Sequence, residues 1–251
     1  MGVMIRMIYK TDWLVGLVAN SVYMLIYFAF VYFLFESGGV QTIEGYSRSD
    51  FLLVMCLSEM LLFSLYINII PSVHRLADSI YSGKLDMFLI RPVNVMLYTT
   101  IFNSWLMDAL SVMLLNVALF FGVYFYFDYN FSLQIWLLIL WVMIVSFVIY
   151  SLMFFISSLI WFFWPKFGAL RWFLGYAYDV NKYPRKVYPD AMQYFLIFVA
   201  PLFLVVNPVY DVISGNYDVN IFILTLLMVF VLISVYVLMF VNGLRRYESA
   251  A

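Results

Sequence analysis

The chain has 251 residues, 67% of them hydrophobic and 11% charged, with a net charge of −1. Soluble domains are about half apolar and about a quarter charged, so this chain has too few polar groups to cover a water-facing surface. A soluble enzyme or nucleic-acid-binding domain is excluded, and the whole length reads as an integral membrane protein.

From the N-terminus, residues 1–12 mix Met4, Ile5, Met7 and Ile8 with Arg6, Lys10 and Asp12. That pattern suits a short helix lying in the membrane interface. A helix needs about 20 apolar residues to cross about 30 Å of hydrocarbon. Runs at 13–35, 51–70, 95–127, 131–163 and 219–241 meet this, and a shorter one at 190–207 does so with its flanks. Six spans are predicted, forming one domain over 1–251. The first is too long for a signal-peptide core and no small-x-small cleavage site follows, so it is expected to stay in place. Cys56, the single cysteine, excludes an internal disulfide and sits in an apolar run as a packing residue.

Lysine and arginine between spans set the orientation. With the N-terminus inside, every cation but Arg48 falls in a cytoplasmic segment: Arg6 and Lys10; Arg75, Lys84 and Arg91; Lys166, Arg171, Lys182, Arg185 and Lys186; Arg245 and Arg246. Both termini are therefore expected in the cytoplasm of a multi-pass cell-membrane protein.

Between the second and third spans, "SIYSGKLDMFLIRPVN" is the densest polar stretch. As a helix over 75–86, it places Arg75, Asp78, Ser79, Ser82 and Asp86 on one face, opposite Leu76, Ile80 and Met87. Lys84 falls off that face, so the helix is expected to bend or end near Gly83. Pro92 then stops the element and re-aims the chain. The segment 164–189 is longer and more basic, with Trp161, Trp164 and Trp172 marking the interface. Arg171, Gly175, Tyr178 and Lys182 form a stripe on a second in-plane helix there, attracting lipid headgroups or contacting a protein. On the outer side, Asn207 reads as an N-cap, Pro208 as the first helical residue and Gly215 as the end of a small helix.

Two ionisable groups lie inside spans and are candidates for function. Glu59 is roughly 12 Å in from the outer face, and Asp108 roughly 20 Å up from the inner one. Their depths agree, so the two are expected to share a polar cavity, with Asn103, Ser104 and Asn116 adding polarity. Interhelical hydrogen bonding without substrate contact is the competing reading.

The sequence holds no G-x-x-x-x-G-K-[ST], a single histidine (His74), no G-x-S-x-G and no internal repeat. Nucleotide binding through a P-loop, a His-rich metal site and a Ser-His hydrolase are not supported. An inverted-repeat transporter is disfavoured.

At this point "SGKLDMFLIRPVN" resembles the signature between the second and third spans of type-2 ABC exporter permeases. The match falls on Gly83, Leu85, Asp86, Leu89 and Pro92, with Phe88 in place of the usual Leu. "YPRKVYPDAMQYFLIFVAPLFLVVNPVYDVISG" is similar to the matching later region of a subgroup.

The resemblance implies an all-α membrane protein of six transmembrane helices, with an interfacial N-terminal helix, a cytoplasmic coupling helix and a short outer re-entrant helix. It implies a permease that pairs with a second permease, identical or paralogous, and sits on separate ATP-binding subunits. Those partners hold the ATP and magnesium; this chain is expected to bind no cofactor and to catalyse nothing. Residues 74–92 become the segment that docks on the ATPase, carried by Arg75, Asp78, Ser82, Gly83, Lys84, Asp86, Leu89 and Pro92. Glu59, Asn103 and Asp108 become pathway candidates. A secondary transporter or channel that uses Glu59 and Asp108 is the alternative, and a membrane-embedded enzyme the weakest third. An ATPase that co-purifies with the chain discriminates the first from the others. The transported substrate is not encoded in any residue.

Overall fold

A computed structural model gives the fold and describes residues 10–39, 41–90, 92, 95, 98, 106–164, 167–215 and 217–248. For 10–13 and 106–111 it describes the backbone alone. Residues 1–9 of the expected interfacial helix, together with Arg91, Asn103 and Ser104, lie outside the described residues, as does the side chain of Asp108.

The chain is overwhelmingly helical. Helix α1 runs Lys10–Ser37. A minimal hairpin follows, β1 (Thr42–Ile43) pairing antiparallel with β2 (Tyr46–Ser47). Its two-residue turn puts both Glu44 and Gly45 at positive φ, the backbone twist a tight hairpin needs. Then come α2 (Arg48–Tyr81), the single-turn α3 (Asp86–Leu89), α4 (Leu106–Tyr126) and α5 (Leu133–Leu159). After these are α6 (Ala169–Ala177), α7 (Asp190–Phe198), α8 (Pro208–Ile213) and α9 (Val219–Leu244).

Among the described residues four helical stretches are long and apolar enough to cross a membrane: Leu14–Ser37, Arg48–Tyr81, Leu133–Phe162 and Val219–Leu244. A bent pair, Asp190–Phe198 with Leu202–Ile213, counts as a fifth if taken as one span.

Helix α2 is the hub. Ser47 and Asp50 form a capping box at its start: Ser47 N–H donates to Asp50 Oδ2 at 2.8 Å, and Asp50 N–H to Ser47 Oγ at 3.3 Å. Every residue from Asp50 to Glu59 is buried, as expected of a helix that is apolar on all sides. Helix α4 packs along α2, and both α2 and α9 pack on α5. At the far end of α9, a Cβ on Gly243 would lie 2.3 Å from Phe162 Cδ2. Only glycine lets the two elements approach that closely.

Three expectations need correction. Helix α2 has 34 residues, about 50 Å at 1.5 Å per residue, against about 30 Å of hydrocarbon. It continues through Pro71, past the expected end of the span, so Arg75, Asp78 and Ser79 sit on its projecting last turns and not on a separate in-plane helix. The run at 190–207 is not one straight helix: α7 and the stretch Leu202–Ile213 are bent by 76°. Pro201, without an N–H, interrupts the ladder there.

The third concerns the basic segment. It was expected to lie wholly beyond one end of the bundle, yet it climbs along α2. Arg171 sits near the Tyr81 end, its guanidinium 5.9 Å from the Trp161 ring. Tyr178 donates to the Ser58 carbonyl at 2.6 Å. Arg185 pairs with Asp211 at 3.1 Å, whose carboxylate also accepts from Tyr46 OH at 2.7 Å beside the start of α2. Lys182 and Arg185 thus pair with acids, Lys182 with Glu59 and Asp179 and Arg185 with Asp211, while the exposed Lys186 lies 5.3 Å over the Tyr46 ring.

Candidate functional site

Two polar constructions stand out, one at the Tyr81 end of α2 and one buried beside Glu59, nearer its start.

The first is the elbow. Helix α2 ends at Ser82, whose N–H donates to Asp78 O at 2.9 Å. Gly83 follows at φ 67, a left-handed turn that glycine adopts without steric cost. Lys84 N–H then donates back to Ser79 O at 2.9 Å, closing the turn. Leu85 and Phe88 are buried beneath it. From the opposite end of the chain, Tyr247 OH accepts the Leu85 N–H at 2.9 Å. The Arg75 guanidinium lies 5.6 Å from the Phe88 ring centroid, within cation–π range, and the Tyr98 ring packs edge-on at 5.6 Å. The elbow is thus a folded unit clamped from below.

Its outer surface is Tyr81, Ser82, Lys84, Met87, Leu89 and Ile90, all exposed, with Asp86 and Gly83 half-exposed. Arg75 and Asp78 are exposed beside it, as is Pro92. Of the residues expected to dock, the structure gathers Arg75, Asp78, Ser82, Gly83, Lys84, Asp86, Leu89 and Pro92 at one end of α2. Arg75 also braces Phe88, a role the polar stripe alone did not reveal.

The second construction is an ion cluster. Lys182 Nζ lies 2.7 Å from Glu59 Oε1 and 2.5 Å from Asp179 Oδ1, and donates to Tyr23 OH on α1. The Glu59 and Lys182 side chains are 3% and 4% exposed, whereas Asp179 is 62% exposed. So the cluster is sealed on the α2 side and open on the Asp179 side. The partner of Glu59 is this cation. The expected second carboxyl, Asp108, has no described side chain to set against it.

Around the cluster the backbone is irregular, with 3₁₀ turns at Tyr178–Lys182 and Arg185–Val187. Such backbone is tolerated at membrane depth only where protein or a polar cavity satisfies it, and here side chains do. The Lys182 carbonyl accepts from Tyr210 OH at 2.6 Å and Tyr27 OH at 3.3 Å. Asn207 donates to Tyr183 O at 2.7 Å and accepts from Arg185 N–H at 2.9 Å. Asn207 therefore clamps this segment instead of capping α8, while Pro208 begins α8 as expected and Gly215 closes it at φ 73. Sequence reasoning missed the clamp; the signal was the polar Asn among buried apolar residues on both sides.

Apolar helices long enough to cross a membrane, packed around a buried hub, define a multi-pass membrane protein. Residues 21–251 match the family model described as ABC-2 family transporter protein, and the chain belongs to that family: it is a membrane permease of an ABC transporter. No curated protein and no solved structure matches it.

Proposed function

We propose that the chain is the membrane subunit of an ATP-driven export system and that the elbow, residues 82–90 with the projecting turn of α2 before it, docks on a separate ATP-binding subunit. The observation that carries this is the elbow's construction: Leu85 and Phe88 anchored, Lys84, Met87 and Ile90 turned outward. A rigid unit seated on the longest helix transmits a push along α2 to the buried cluster at Glu59. A floppy loop would absorb it.

The ATPase holds the ATP and magnesium, and a second permease, identical or paralogous, completes the pathway. Export as the direction rests on the resemblance of the elbow sequence to exporter permeases. Six crossings follow if the segment from α6 to Val187 counts as the fifth, since it joins the Arg171 end to the Asp211 end. Both termini then lie on the cytoplasmic side of the cell membrane, with the elbow. Glu59, with Lys182, lines the polar part of the pathway wall through the open Asp179 side, and Asn103 and Asp108 are proposed to extend it from the neighbouring span.

Co-expression with an ATP-binding subunit tests the reading. Asp86→Lys is expected to weaken the complex by about 2 kcal/mol or more, the scale of a broken charged contact, which is roughly thirtyfold in Kd. Arg48→Glu, at the opposite end of α2, is expected to leave the pull-down unchanged. If Asp86→Lys and a scrambled 82–90 both assemble normally, the elbow is not the docking element.

A further inference from the structure

A cleft of about 320 Å³ opens between α2 and α6 at the elbow end of the bundle. Tyr66, Phe154, Trp172 and Tyr176 wall it, and Arg171 stands at its edge beside His74. One terminal nitrogen of the Arg171 guanidinium, NH1, is buried and has no hydrogen-bond partner among the described residues. Asp78 acts on this cation only at longer range. A buried donor left unmade costs free energy, and the planar fork of arginine matches phosphate oxygens. Gly175 also lines the cleft, and no atom lies within 4 Å of where its Cβ would stand. The lining is aromatic and partly exposed: Trp172 and Tyr176 are 63% and 73% exposed, the residue types that settle at headgroup level.

We propose that this cleft is a specific site for an anionic phospholipid, its phosphate on the free Arg171 nitrogen and the upper part of its chains against the aromatic wall. The site stands apart from the docking reading, because lipid retention needs no ATPase. It is distinct from diffuse attraction between basic loops and an acidic membrane, since one guanidinium and one shaped wall do the selecting.

Native mass spectrometry of the full-length chain, purified in mild detergent and offered phosphatidylglycerol, phosphatidylcholine or inorganic phosphate, tests it. The expected result is one retained phosphatidylglycerol, preferred over phosphatidylcholine by about tenfold: both offer a phosphate to Arg171, but the quaternary ammonium of phosphatidylcholine is repelled by the guanidinium. Arg171→Gln is expected to abolish that preference. Gly175→Leu fills the cleft with the charge intact and adds a better helix former, so it is expected to lose the lipid while staying monodisperse. Arg245→Gln, a cation outside the cleft, is expected to change nothing. The proposal is overturned if Arg245→Gln loses as much lipid as Arg171→Gln, if Gly175→Leu retains it, or if millimolar inorganic phosphate displaces it, which would mark a site for free anions.

Discussion

Lys182→Met is expected to destabilise the protein by about 3–5 kcal/mol, because it leaves the Glu59 carboxylate buried without a counter-charge. Glu59→Gln is expected to cost less, since Lys182 keeps its 2.5 Å contact with Asp179. Replacing both at once, Glu59→Gln with Lys182→Met, removes the uncompensated charge and is expected to recover most of the loss. The double-mutant pattern separates a true pair from two independent polar residues. Thermal unfolding of the detergent-purified chain, followed by its monodisperse fraction, reads all three variants. A Lys182→Met protein that melts with the wild type would mean that water reaches Glu59 and that the cluster does not seal α1, α2 and the irregular segment together.

Phe88→Ala carries the second large effect. The ring is buried at 3% exposure, and it receives both the Arg75 guanidinium and the Tyr98 ring. Truncating a packed phenylalanine costs about 3–5 kcal/mol, which exceeds what a unit as small as the elbow can spare. The expected outcome is local: faster amide exchange over 82–90, with the bundle itself intact. If the elbow docks on the ATPase as proposed, transport is expected to uncouple from ATP hydrolysis. Phe88→Leu, closer in volume, is expected to keep most of the protection. Unchanged exchange in Phe88→Ala would show that Tyr247 and the Gly83 turn hold the elbow without the ring.

How much of this was legible beforehand depended on which force dominated each stretch. The long apolar runs at 13–35, 131–163 and 219–241 reappear as α1, α5 and α9 within a few residues, because lipid demands length and hydropathy and little else. The expected end of a helix near Gly83 matches the left-handed turn that follows Ser82. Its boundary differs: the apolar run ended at residue 70 and a separate helix was expected over 75–86, whereas α2 continues through Pro71 to Tyr81 with buried residues on both sides of the proline.

The ion cluster was half legible. A lone Glu59 in an apolar run demands a partner, and the search for one stopped at Asp108, the other acid in a span. Lys182 lay in a basic stretch that read as an in-plane helix with a stripe toward lipid headgroups or a protein, and a count of cations by segment has no means of assigning one of them to the interior. The aromatic residues beside it, Tyr178 and Tyr183, were the clue: a basic stretch interleaved with rings that end up buried or half-buried is built to pack.

The most direct test of the central claim is a photo-crosslinking residue at Met87, on the outward face of α3, in the permease assembled with its ATP-binding subunit. An adduct with the ATPase is expected from Met87 and none from the same residue placed at Val219, at the far end of the bundle. An intact complex in which Met87 crosslinks only to lipid, while Val219 reaches the ATPase, would contradict it.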